Sequence, residues 1–555
     1  MEISTVDFST LLDELTDIGI ALSAEKDHSR LLEIILLKAR DLTYADGGTL
    51  YTRTDDNRLK FEIMVNETLG IHKGGTSGEE IEFYPIYLYD KEGKPNNKMI
   101  ASWAALSGET INIADAYEDK RFDFSGTRDF DHKTGYRSKS FLTVPLTDHE
   151  NEIIGVLQLL NARVPETGEV KPFSELDQYV VESLASQAAV TVSNRSLIDA
   201  QRKLFDAMIQ LIANAIDEKS PYTAGHCRRV PELTNMLAEA ACEMKVGPLK
   251  SFTMDEKEKY ALNVAGWLHD CGKITTPEYV VDKGTKLETI YDRIKTVETR
   301  FEVLKRDREI AALRRKAREH GIEINLDSDA TYQDEITRLY EDLEFIRHCN
   351  VGGESMEEED KERVKKIAGY KWTNPEGREK KLLTGDEIQN LIIGRGTLTY
   401  REREIINNHI SVTIKMLESL PYPKHLSTVP EYAGGHHEKM DGTGYPRGLT
   451  REQMSIPARI MGIADIFEAL TAGDRPYKKA MPLSQALKIL GRMKQENHID
   501  PDLFDVFIHK RVYMKYAERF LDRNQIDDFD ITTVPGYAPI QEQEKSEKLK
   551  VESVK

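Results

Sequence analysis

The sequence predicts a multidomain chain: an α+β domain, a long helical linker, and an all-helical domain that contains an inserted helical coiled-coil hairpin. Three observations predict this order. They are strand-like runs within residues 48–160, an apolar seven-residue repeat within 176–218, and helix-like segments that carry histidines and aspartates from residue 226 onward. At 555 residues the chain is too long for a single hydrophobic core, and its length indicates about three domains.

Residues 7–195 are expected to form the α+β domain. Residues 7–40 place leucines and isoleucines at helical spacing, with a break near Asp27. The strand-like runs that follow are 48–53, 59–65, 140–146 and 153–160. The turn-forming residues 148–152 between the last two runs predict a β-hairpin.

Three segments of this domain resemble GAF domains, specifically those of cyclic-nucleotide phosphodiesterases and adenylyl cyclases. The segments are 100–113 (IASWAALSGETINI), 134–140 (TGYRSKS) and 154–161 (IGVLQLLN). The resemblance implies a sensor domain in which a small regulatory ligand, such as a cyclic nucleotide, faces three residues: Ile100, Ala101 and Thr134. The alternative is a GAF domain that only dimerises and binds no ligand.

The signature of the cyclic-nucleotide-binding GAF domains is incomplete in this chain. Those domains carry Asn-Lys followed by Phe-x3-Asp-Glu, whereas this chain has Asn161-Ala162, then Phe173, Asp177 and Gln178. The lysine and the glutamate are absent, so the lysine–aspartate bridge of that signature cannot form. The resemblance therefore leaves the identity of the ligand open.

Residues 176–218 are predicted to form one long helix that links the two domains. Val190, Leu197, Leu204 and Leu211 fall seven residues apart, as in a coiled coil. These side chains either pack on the next domain or pair two chains as a parallel dimer helix that carries a twist or register change. The shortage of turn-forming residues favours the dimer helix, so a homodimer is expected.

Residues 200–530 form the region that carries the histidines, and residues 286–396 within it form the predicted insertion. Apolar residues alternate three and four apart on either side of the loop 321–329, which predicts an antiparallel helical hairpin. The apolar residues are Leu287, Ile290, Ile294, Val297, Phe301 and Leu304 before the loop, and Ile336, Leu339, Leu343 and Ile346 after it.

Three further stretches are predicted to lack an apolar core. Residues 354–362 and 372–378 follow the hairpin and are expected to be polar connections. The tail, 540–555, is highly charged and contains no aromatic residue. A segment of that composition cannot bury enough apolar surface to fold, so the tail is predicted to be disordered.

Five histidines and two aspartates are candidates for binding metal ions. They are His226, His269, Asp270, His409, His436, His437 and Asp465. Consecutive histidines such as His436-His437 rarely both fit an apolar core. Mixed nitrogen and oxygen ligands in this number suit two or more divalent transition metals. Paired metals are the usual means of hydrolysing a phosphodiester, because they activate a water and stabilise both oxygens of an in-line displacement.

The stretch 436–446 (HHEKMDGTGYP) and the pair His269-Asp270 resemble the HD-GYP family of the HD phosphohydrolase superfamily. The resemblance covers about residues 200–285 and 397–515. It implies an all-helical fold, hydrolysis of cyclic di-GMP, and the seven residues above as metal ligands. Asp270 and Lys273 would belong to the catalytic set, and Lys273 would hold a phosphate oxygen.

Five further residues would contact the substrate by the same resemblance. Gly444, Tyr445 and Pro446 would shape the pocket, and Arg475 and Lys478 would bind the far phosphate or a guanine edge. The alternative for the last two is a solvated basic turn.

The chain departs from the family at two places. Some members have a glutamate four residues before the first histidine, where it binds a third metal, and this chain has Tyr222. Tyrosine is a poor ligand at neutral pH because its pKa is about 10. We therefore expect two metal ions, iron by resemblance with manganese as the alternative, and linear pGpG as the product. The second departure is the insertion 286–396, which is expected to alter substrate access.

Composition limits the partners and the compartment. A net charge of -19 argues against binding a nucleic-acid polymer. The four cysteines form no CxxC pair, which is typical of a reducing compartment. No uncharged apolar run approaches the roughly 18 residues of a membrane span. A cytoplasmic protein without a membrane segment is expected.

Two other functional hypotheses stay open. In the first, the substrate is another cyclic nucleotide: cyclic GMP–AMP, cyclic AMP or cyclic GMP. This hypothesis stays open because the sequence does not show which bases the pocket accepts. Alternatively the chain is a catalytically weak nucleotide receptor that signals through its inserted hairpin. The complete set of candidate ligands argues against the receptor.

Overall fold

The computed structural model of the chain describes residues 5–219, 225–320, 326, 329–352, 355–374, 376–473 and 480–539. It divides into two compact units between Phe205 and Asp206. No helix in these ranges is both long enough and apolar enough to cross a bilayer. Four predicted features lie outside the described residues: the tail 540–555, Tyr222, Arg475 and Lys478.

The first unit combines an antiparallel sheet with helices, as predicted. Its helices are α1 (Thr5–Ala24), α2 (His28–Leu42), α3 (Ile100–Ser107) and α4 (Ser125–Thr134). Its strands are β1 (Ala45–Arg53), β2 (Arg58–Asn66), β3 (Ile71–Gly74), β4 (Ile86–Tyr87), β5 (Ile111–Ile113), β6 (Phe141–Thr147), β7 (Ile153–Arg163) and β8 (Val170–Lys171). Helix α5 (Glu175–Lys219) follows and contains residues of both units, which confirms the predicted long helix.

The sheet separates two hydrophobic cores. Its strands follow the order β3-β2-β1-β7-β6-β5, with β4 beside β2 and β8 beside β7, and all pairs are antiparallel. Leu50 and Leu157 enter the core formed with α1, α2 and α5, whereas their neighbours Tyr51 and Val156 enter the core formed with α3. This alternation is the period of two that a strand buried on both faces requires.

Local hydrogen bonds explain two of the breaks that were predicted in this unit. The Asp27 side chain accepts a hydrogen bond from the backbone N–H of Arg30 and so caps α2, which separates it from α1. Asp148 accepts hydrogen bonds from the backbone N–H groups of Glu150 and Glu152, at 2.9 and 3.0 Å, in the turn between β6 and β7. Those two strands pair as the predicted hairpin.

The second unit is helical, apart from one short ribbon among the described residues. Its first helices are α6 (His226–Cys242), α7 (Glu256–Leu268), α8 (Glu278–Val281), α9 (Ile294–His320), α10 (Ala330–Asn350), α11 (Glu358–Ala368) and α12 (Gly385–Leu391). The later helices are α13 (Tyr400–Glu418), α14 (Val429–Gly434), α15 (Ile456–Thr471), α16 (Leu483–Gln495), α17 (Pro501–His509) and α18 (Val512–Phe520). The ribbon pairs β9 (Lys371–Thr373) with β10 (Glu379–Lys381).

The insertion is a small folded body and not only the predicted hairpin. Helices α9 and α10 pair as expected, but α11, α12 and the ribbon join them around a core of their own. This core includes Leu287, Val297, Phe301, Leu339, Ile346, Val364, Ile367, Leu382 and Leu391. Residues 354–362 and 372–378, expected to be polar connections, therefore include the start of α11 and part of the ribbon.

The prediction is wrong for one residue of the apolar seam, Ile290. Ile290 is 97% exposed, because α9 begins only at Ile294 and Ile290 lies in the bend that precedes it. The three- and four-residue spacing continues through Ile290 in the sequence, but the helix does not.

The core of the insertion predicts different effects for two apolar residues. Phe301→Ala should lower the free energy of unfolding by about 4 kcal/mol, because it removes a buried ring from that core. The control Ile290→Ala should change it by less than about 0.5 kcal/mol. Urea denaturation followed by tryptophan fluorescence measures both, since Trp372 packs against the same core. Equal losses would contradict this description of the insertion.

Candidate metal centre

The seven candidate ligands meet in the second unit although separate segments carry them. His226 begins α6, His269 and Asp270 follow α7, His409 lies in α13, His436 and His437 follow α14, and Asp465 lies in α15. Six of the seven side chains are buried or nearly so, and His437 is partly exposed.

The distances between side-chain atoms define one continuous cluster. Nε2 of His226 lies 3.3 Å from Oδ2 of Asp270 and 3.3 Å from Oδ1 of Asp465. Nε2 of His269 lies 3.2 Å from Oδ2 of Asp270, and Nε2 of His409 lies 3.2 Å from Oδ1 of the same carboxylate. Asp270 therefore lies between the histidines of α6 and α7 on one side and the histidine of α13 on the other.

Three of the histidines are oriented by the same kind of hydrogen bond to the backbone. Each donates its Nδ1–H to the backbone carbonyl three residues earlier: His269 to Gly266, His409 to Ile406 and His436 to Ala433, at 2.7, 2.5 and 2.6 Å. A neutral imidazole with its proton on Nδ1 presents a lone pair on Nε2. The backbone therefore directs three ligand-competent nitrogen atoms toward the cluster.

His226 is oriented by a carboxylate instead. Its Nδ1 is hydrogen-bonded to Oε2 of Glu468, and the other oxygen of Glu468 accepts a hydrogen bond from Nε of Arg229 at 2.7 Å. Glu468 is only 1% exposed. Neither Glu468 nor Arg229 was predicted. Their signal was the spacing, because Glu468 follows Asp465 by three residues and Arg229 follows His226 by three, which places each on its ligand's helix face.

The arrangement of donor atoms fits a cation. Nε2 of His226 faces Nε2 of His269 at 3.2 Å, and Nε2 of His409 faces Nε2 of His437 at 3.3 Å. Lone pairs that face each other at this distance repel unless a proton or a metal ion lies between them. Nε2 of His436 is buried without a hydrogen-bond partner among the described residues.

Asp270 provides a second unsatisfied atom. Its Oδ1 is near Nε2 of His409, yet it accepts no hydrogen bond of acceptable geometry from the described residues. Two groups of three residues bring their ligand atoms within 4.8 Å of one another: His226, His269 and Asp270, and His409, His436 and His437. Each group could hold one divalent ion.

The electrostatics favour the metal-binding forms of Asp270 and His436 but the protonated form of His226. Burial works against the ionised form of Asp270, but Lys273 and His269 hold its pKa well below the usual value. Burial and the charge of His269 lower the pKa of His436 to about 4. Burial also disfavours charged His226, but the surrounding carboxylates raise its pKa well above the usual value. A cation that binds there must displace a proton.

Lys273 lies at the edge of the cluster, in a short 3-10 helix, Cys271–Thr275. Its Nζ lies 2.5 Å from Oδ2 of Asp270, and about a fifth of the side chain is exposed. Burial disfavours the ammonium form, but the carboxylates of Asp270 and Asp465 raise the pKa of Lys273. The cluster therefore has one partly accessible fixed positive charge at this point.

The predicted pocket segment packs on the cluster. The ring of Tyr445 stacks on His437, with centroids 4.8 Å apart. A Cβ atom at Gly444 would lie 2.3 Å from the backbone nitrogen of Lys439, so no side chain fits there. Pro446 follows Tyr445 and is exposed.

Glu438 shapes this segment and was not predicted. Its buried carboxylate accepts hydrogen bonds from the backbone N–H groups of Arg447 and Leu449, at 2.7 and 2.9 Å. The side chain thereby fixes the end of the loop that begins at His437. The residue was visible in the sequence as part of HHEK, but nothing there showed which atoms it contacts.

The residues predicted to face a ligand in the first unit do not all lie together. Ile100 and Ala101 are buried in the core beside α3. Thr134 is exposed at the end of α4, where its hydroxyl donates a hydrogen bond to the carbonyl of Phe130. Ala162, in place of the signature lysine, is buried in the opposite core.

Two family models match the chain. Residues 27–192 match the model described as GAF domain, and residues 382–503 match the model described as HD domain. The chain carries a GAF domain and an HD domain. The HD match includes His409 and Asp465, whereas His226 and His269 lie before it in the sequence and join the cluster only in the fold.

Several curated proteins are similar to parts of the chain. The 3'3'-cGAMP-specific phosphodiesterase 3 of Vibrio cholerae is 42% identical over 120 residues, which are 21% of this chain and 25% of that protein. A cyclic di-GMP phosphodiesterase of Pseudomonas aeruginosa is 38% identical over 114 residues, 20% of this chain and 26% of that protein.

A third relative is named for other nucleotides. The dual 3',5'-cyclic-AMP and -GMP phosphodiesterase 11A of Takifugu rubripes is 29% identical over 226 residues, which are 39% of this chain and 23% of that protein. The chain spans about a quarter of the length of these three relatives.

The contact between Glu468 and His226 predicts an effect on metal binding. Glu468→Gln weakens the hydrogen bond that orients His226, so the affinity for metal should fall about 10- to 100-fold. Titration of the metal-free protein with Co²⁺, followed by absorption spectroscopy, measures this change. The control is Glu387→Gln, which alters another buried glutamate paired with an arginine, Arg300, in the insertion. Equal Co²⁺ affinity in the two variants would contradict the assigned role.

Proposed function

We propose that the chain is a metal-dependent phosphodiesterase that hydrolyses cyclic di-GMP to linear pGpG and is regulated by its GAF domain. The observation that carries the proposal is the convergence of histidine nitrogens and carboxylate oxygens from both sides of the insertion. This substrate is supported by two relatives that are named cyclic di-GMP phosphodiesterases and are 32% and 38% identical to the chain in the matched parts.

Seven residues would hold two ions. His226, His269 and Asp270 would bind one, His409, His436 and His437 the other, and Asp465 lies within reach of the first group. A histidine-rich ligand set favours iron, manganese, cobalt or zinc over magnesium. Iron remains the first expectation, with manganese as the alternative.

The side chains of the site have separate tasks. Bound divalent ions supply an activated water and offset charge on the phosphate. The carbonyls that accept the Nδ1–H groups of His269, His409 and His436 direct Nε2 of each ring toward the cluster. Lys273, charged and partly exposed beside Asp270, would donate a hydrogen bond to a non-bridging phosphate oxygen. Tyr445 and Gly444 would form the wall on which the dinucleotide lies, with Pro446 beside them.

A second substrate, cyclic GMP–AMP, is favoured by a specific observation. Two Vibrio cholerae relatives named 3'3'-cGAMP-specific phosphodiesterases are 42% and 44% identical to the chain, over 120 and 82 residues. Both cyclic dinucleotides present the same phosphodiester to the proposed metal ions and Lys273. They differ only in one base, so the contacts to the base must choose between them.

Hydrolysis by the full chain tests the proposal. The protein is purified with its native metals and analysed for metal content. It should convert cyclic di-GMP to pGpG faster than it hydrolyses 3'3'-cGAMP, cyclic AMP or cyclic GMP. His269→Ala should reduce turnover to the background rate, because it removes an oriented nitrogen ligand. His348→Ala, which changes an exposed histidine of α10, should leave turnover unchanged. Tight binding of cyclic di-GMP without turnover would support the receptor alternative instead.

We also propose that α5 pairs two copies of the chain. Leu197, Leu204 and Leu211 are 57–69% exposed, and Val190 continues their seven-residue spacing. The intervening positions of the same stripe are exposed as well: Asn194, Gln201, Met208 and Ala215. Leucines at one coiled-coil position, with the polar Asn194 and Gln201 among the residues at the other, favour a register-specific pair. The opposite face of the helix end, including Ile209 and Ile216, is already buried in the second unit.

A charge in this stripe should separate the two copies. Leu204→Glu and Leu211→Glu together place carboxylates in the apolar seam, so the molar mass in solution should fall from dimer to monomer. Light scattering during size-exclusion chromatography measures the mass. Gln210→Glu, an exposed change outside the stripe, is the control and should stay dimeric. A monomeric wild-type chain would refute the pairing.

The proposed regulatory ligand of the GAF domain has one supporting observation. Ser102, next to Ala101, is completely buried, and its hydroxyl has no hydrogen-bond partner among the described residues. Unsatisfied buried hydroxyl groups are rare because they cost free energy. A polar group of a ligand bound near Ile100 and Ala101 would satisfy it. Thr134 would contribute only if the ligand extends to the end of α4.

A further inference from the structure

The last turn of α5 contacts the start of α6. The Asp217 carboxylate accepts hydrogen bonds from the backbone N–H groups of Gly225 and Cys227, at 3.0 and 3.4 Å. These two residues flank His226, the first candidate ligand. The position of His226 is therefore tied to the end of α5 by a side chain that comes from α5 itself.

The same turn also holds the segment after Asp270. Nζ of Lys219 donates hydrogen bonds to the backbone carbonyls of Lys273, Ile274 and Thr276, at 3.1, 2.5 and 2.6 Å. Carbonyls at the end of a short helix lack partners within it, and a lysine ammonium satisfies them. Lys219 thus fixes the 3-10 helix that carries Lys273.

This 3-10 helix has little freedom to move independently of α13. The backbone N–H of Gly272 donates a hydrogen bond to Oγ1 of Thr413 at 2.9 Å. A Cβ atom at Gly272 would lie 2.0 Å from the carbonyl oxygen of His409, so the two backbones are in direct contact. A displacement of the helix held by Lys219 must therefore displace His409 or break this contact.

Two further polar contacts attach α5 to α6, which begins with His226, and to α7, which His269 and Asp270 follow. Asp206 accepts a hydrogen bond from the hydroxyl of Tyr260 in α7, at 2.6 Å. Asn214 accepts hydrogen bonds from the guanidinium of Arg228 in α6, at 3.0 and 3.1 Å. The final turns of α5 are therefore bonded to both helices that present the first three ligands.

We infer that Asp217 and Lys219 are positioning residues through which α5 sets the geometry of the candidate metal centre. The inference rests on the proposed function and specifies how that site is regulated. Because the exposed stripe at Leu197, Leu204 and Leu211 belongs to the same helix, a change of register between paired helices reaches His226 and Lys273 through these two side chains. Their hydrogen bonds to backbone atoms beside His226 and Lys273 are the contacts through which both residues would act.

Lys219→Met in the full-length, metal-loaded chain tests the inference. Backbone amides of residues 271–276 should exchange hydrogen faster, and kcat on cyclic di-GMP should fall about tenfold, because displaced catalytic groups lose their alignment. Metal content should stay as in the wild type, because no ligand is removed. Lys219→Arg should restore slow exchange and most of kcat. Unchanged exchange in Lys219→Met would overturn the inference.

Lys286→Met is a matched control for this variant. Nζ of Lys286, on a more deeply buried side chain than Lys219, likewise donates hydrogen bonds to two helix-end carbonyls, those of Leu391 and Ile393, at 3.0 and 2.8 Å. Its loss should speed exchange near residues 391–393 and leave residues 271–276 unchanged. Faster exchange at 271–276 in both variants would mean general loosening and would overturn a specific role for Lys219.

A double-mutant cycle tests the connection to the stripe. Leu204→Glu should change kcat in the wild-type background and have no further effect once Asp217→Asn and Lys219→Met are present, since coupled residues are not additive. Additive effects, or no effect of Leu204→Glu alone, would overturn the connection. If the wild-type chain hydrolyses no cyclic dinucleotide, the proposed function fails, while hydrogen exchange at 271–276 still tests the contact of Lys219.

Discussion

The hydrogen bond from Nδ1–H to a backbone carbonyl decides which nitrogen of three of the five histidines faces the cluster. His269 and His436 stand at the ends of α7 and α14, where carbonyls lack helical partners, and His409 uses the same bond within α13. The secondary structure therefore sets both the tautomer and the direction of the ring. His226 lies at a helix start, where no earlier carbonyl of its own helix is available, and Glu468 takes that place.

The cluster depends on contacts between segments that are far apart in the chain. Asp270 lies between histidines of three helices, and Gly272 allows α13 to approach so closely that no other residue would fit. Charge and packing act together here. Burial alone would neutralise Asp270, but the adjacent lysine and histidine keep it ionised.

The motif residues could be predicted because their chemistry is unusual at short range. The consecutive histidines His436-His437 do not suit an apolar core, and together with His269-Asp270 and the other histidines they indicate a metal site from the sequence alone. The residues that support them could not be found in this way. Glu468, Asp217 and Lys219 are ordinary charged residues in helical segments, and only the fold shows that they reach His226 or the carbonyls after Asp270.

The fold, like the site, could be predicted only in part from the sequence. Hydrophobic periodicity identified the long helix, the paired strands and the hairpin of the insertion. It failed at Ile290, because periodicity does not show where a helix begins, and at α11, whose polar first turn hides a helix that buries Val364 and Ile367 on one face. Such a helix is stabilised mainly by packing, and the partners for that packing lie elsewhere in the sequence.

The position of the insertion has a consequence for how the protein is made. His226, His269 and Asp270 leave the ribosome before the insertion, and His409 and the later ligands leave after it. Because the insertion has its own core, it can fold as a separate body during synthesis. The two groups of candidate ligands and Asp465 can all meet only after α15 has been synthesised, so a centre built from all seven residues would be completed late in the synthesis of this chain.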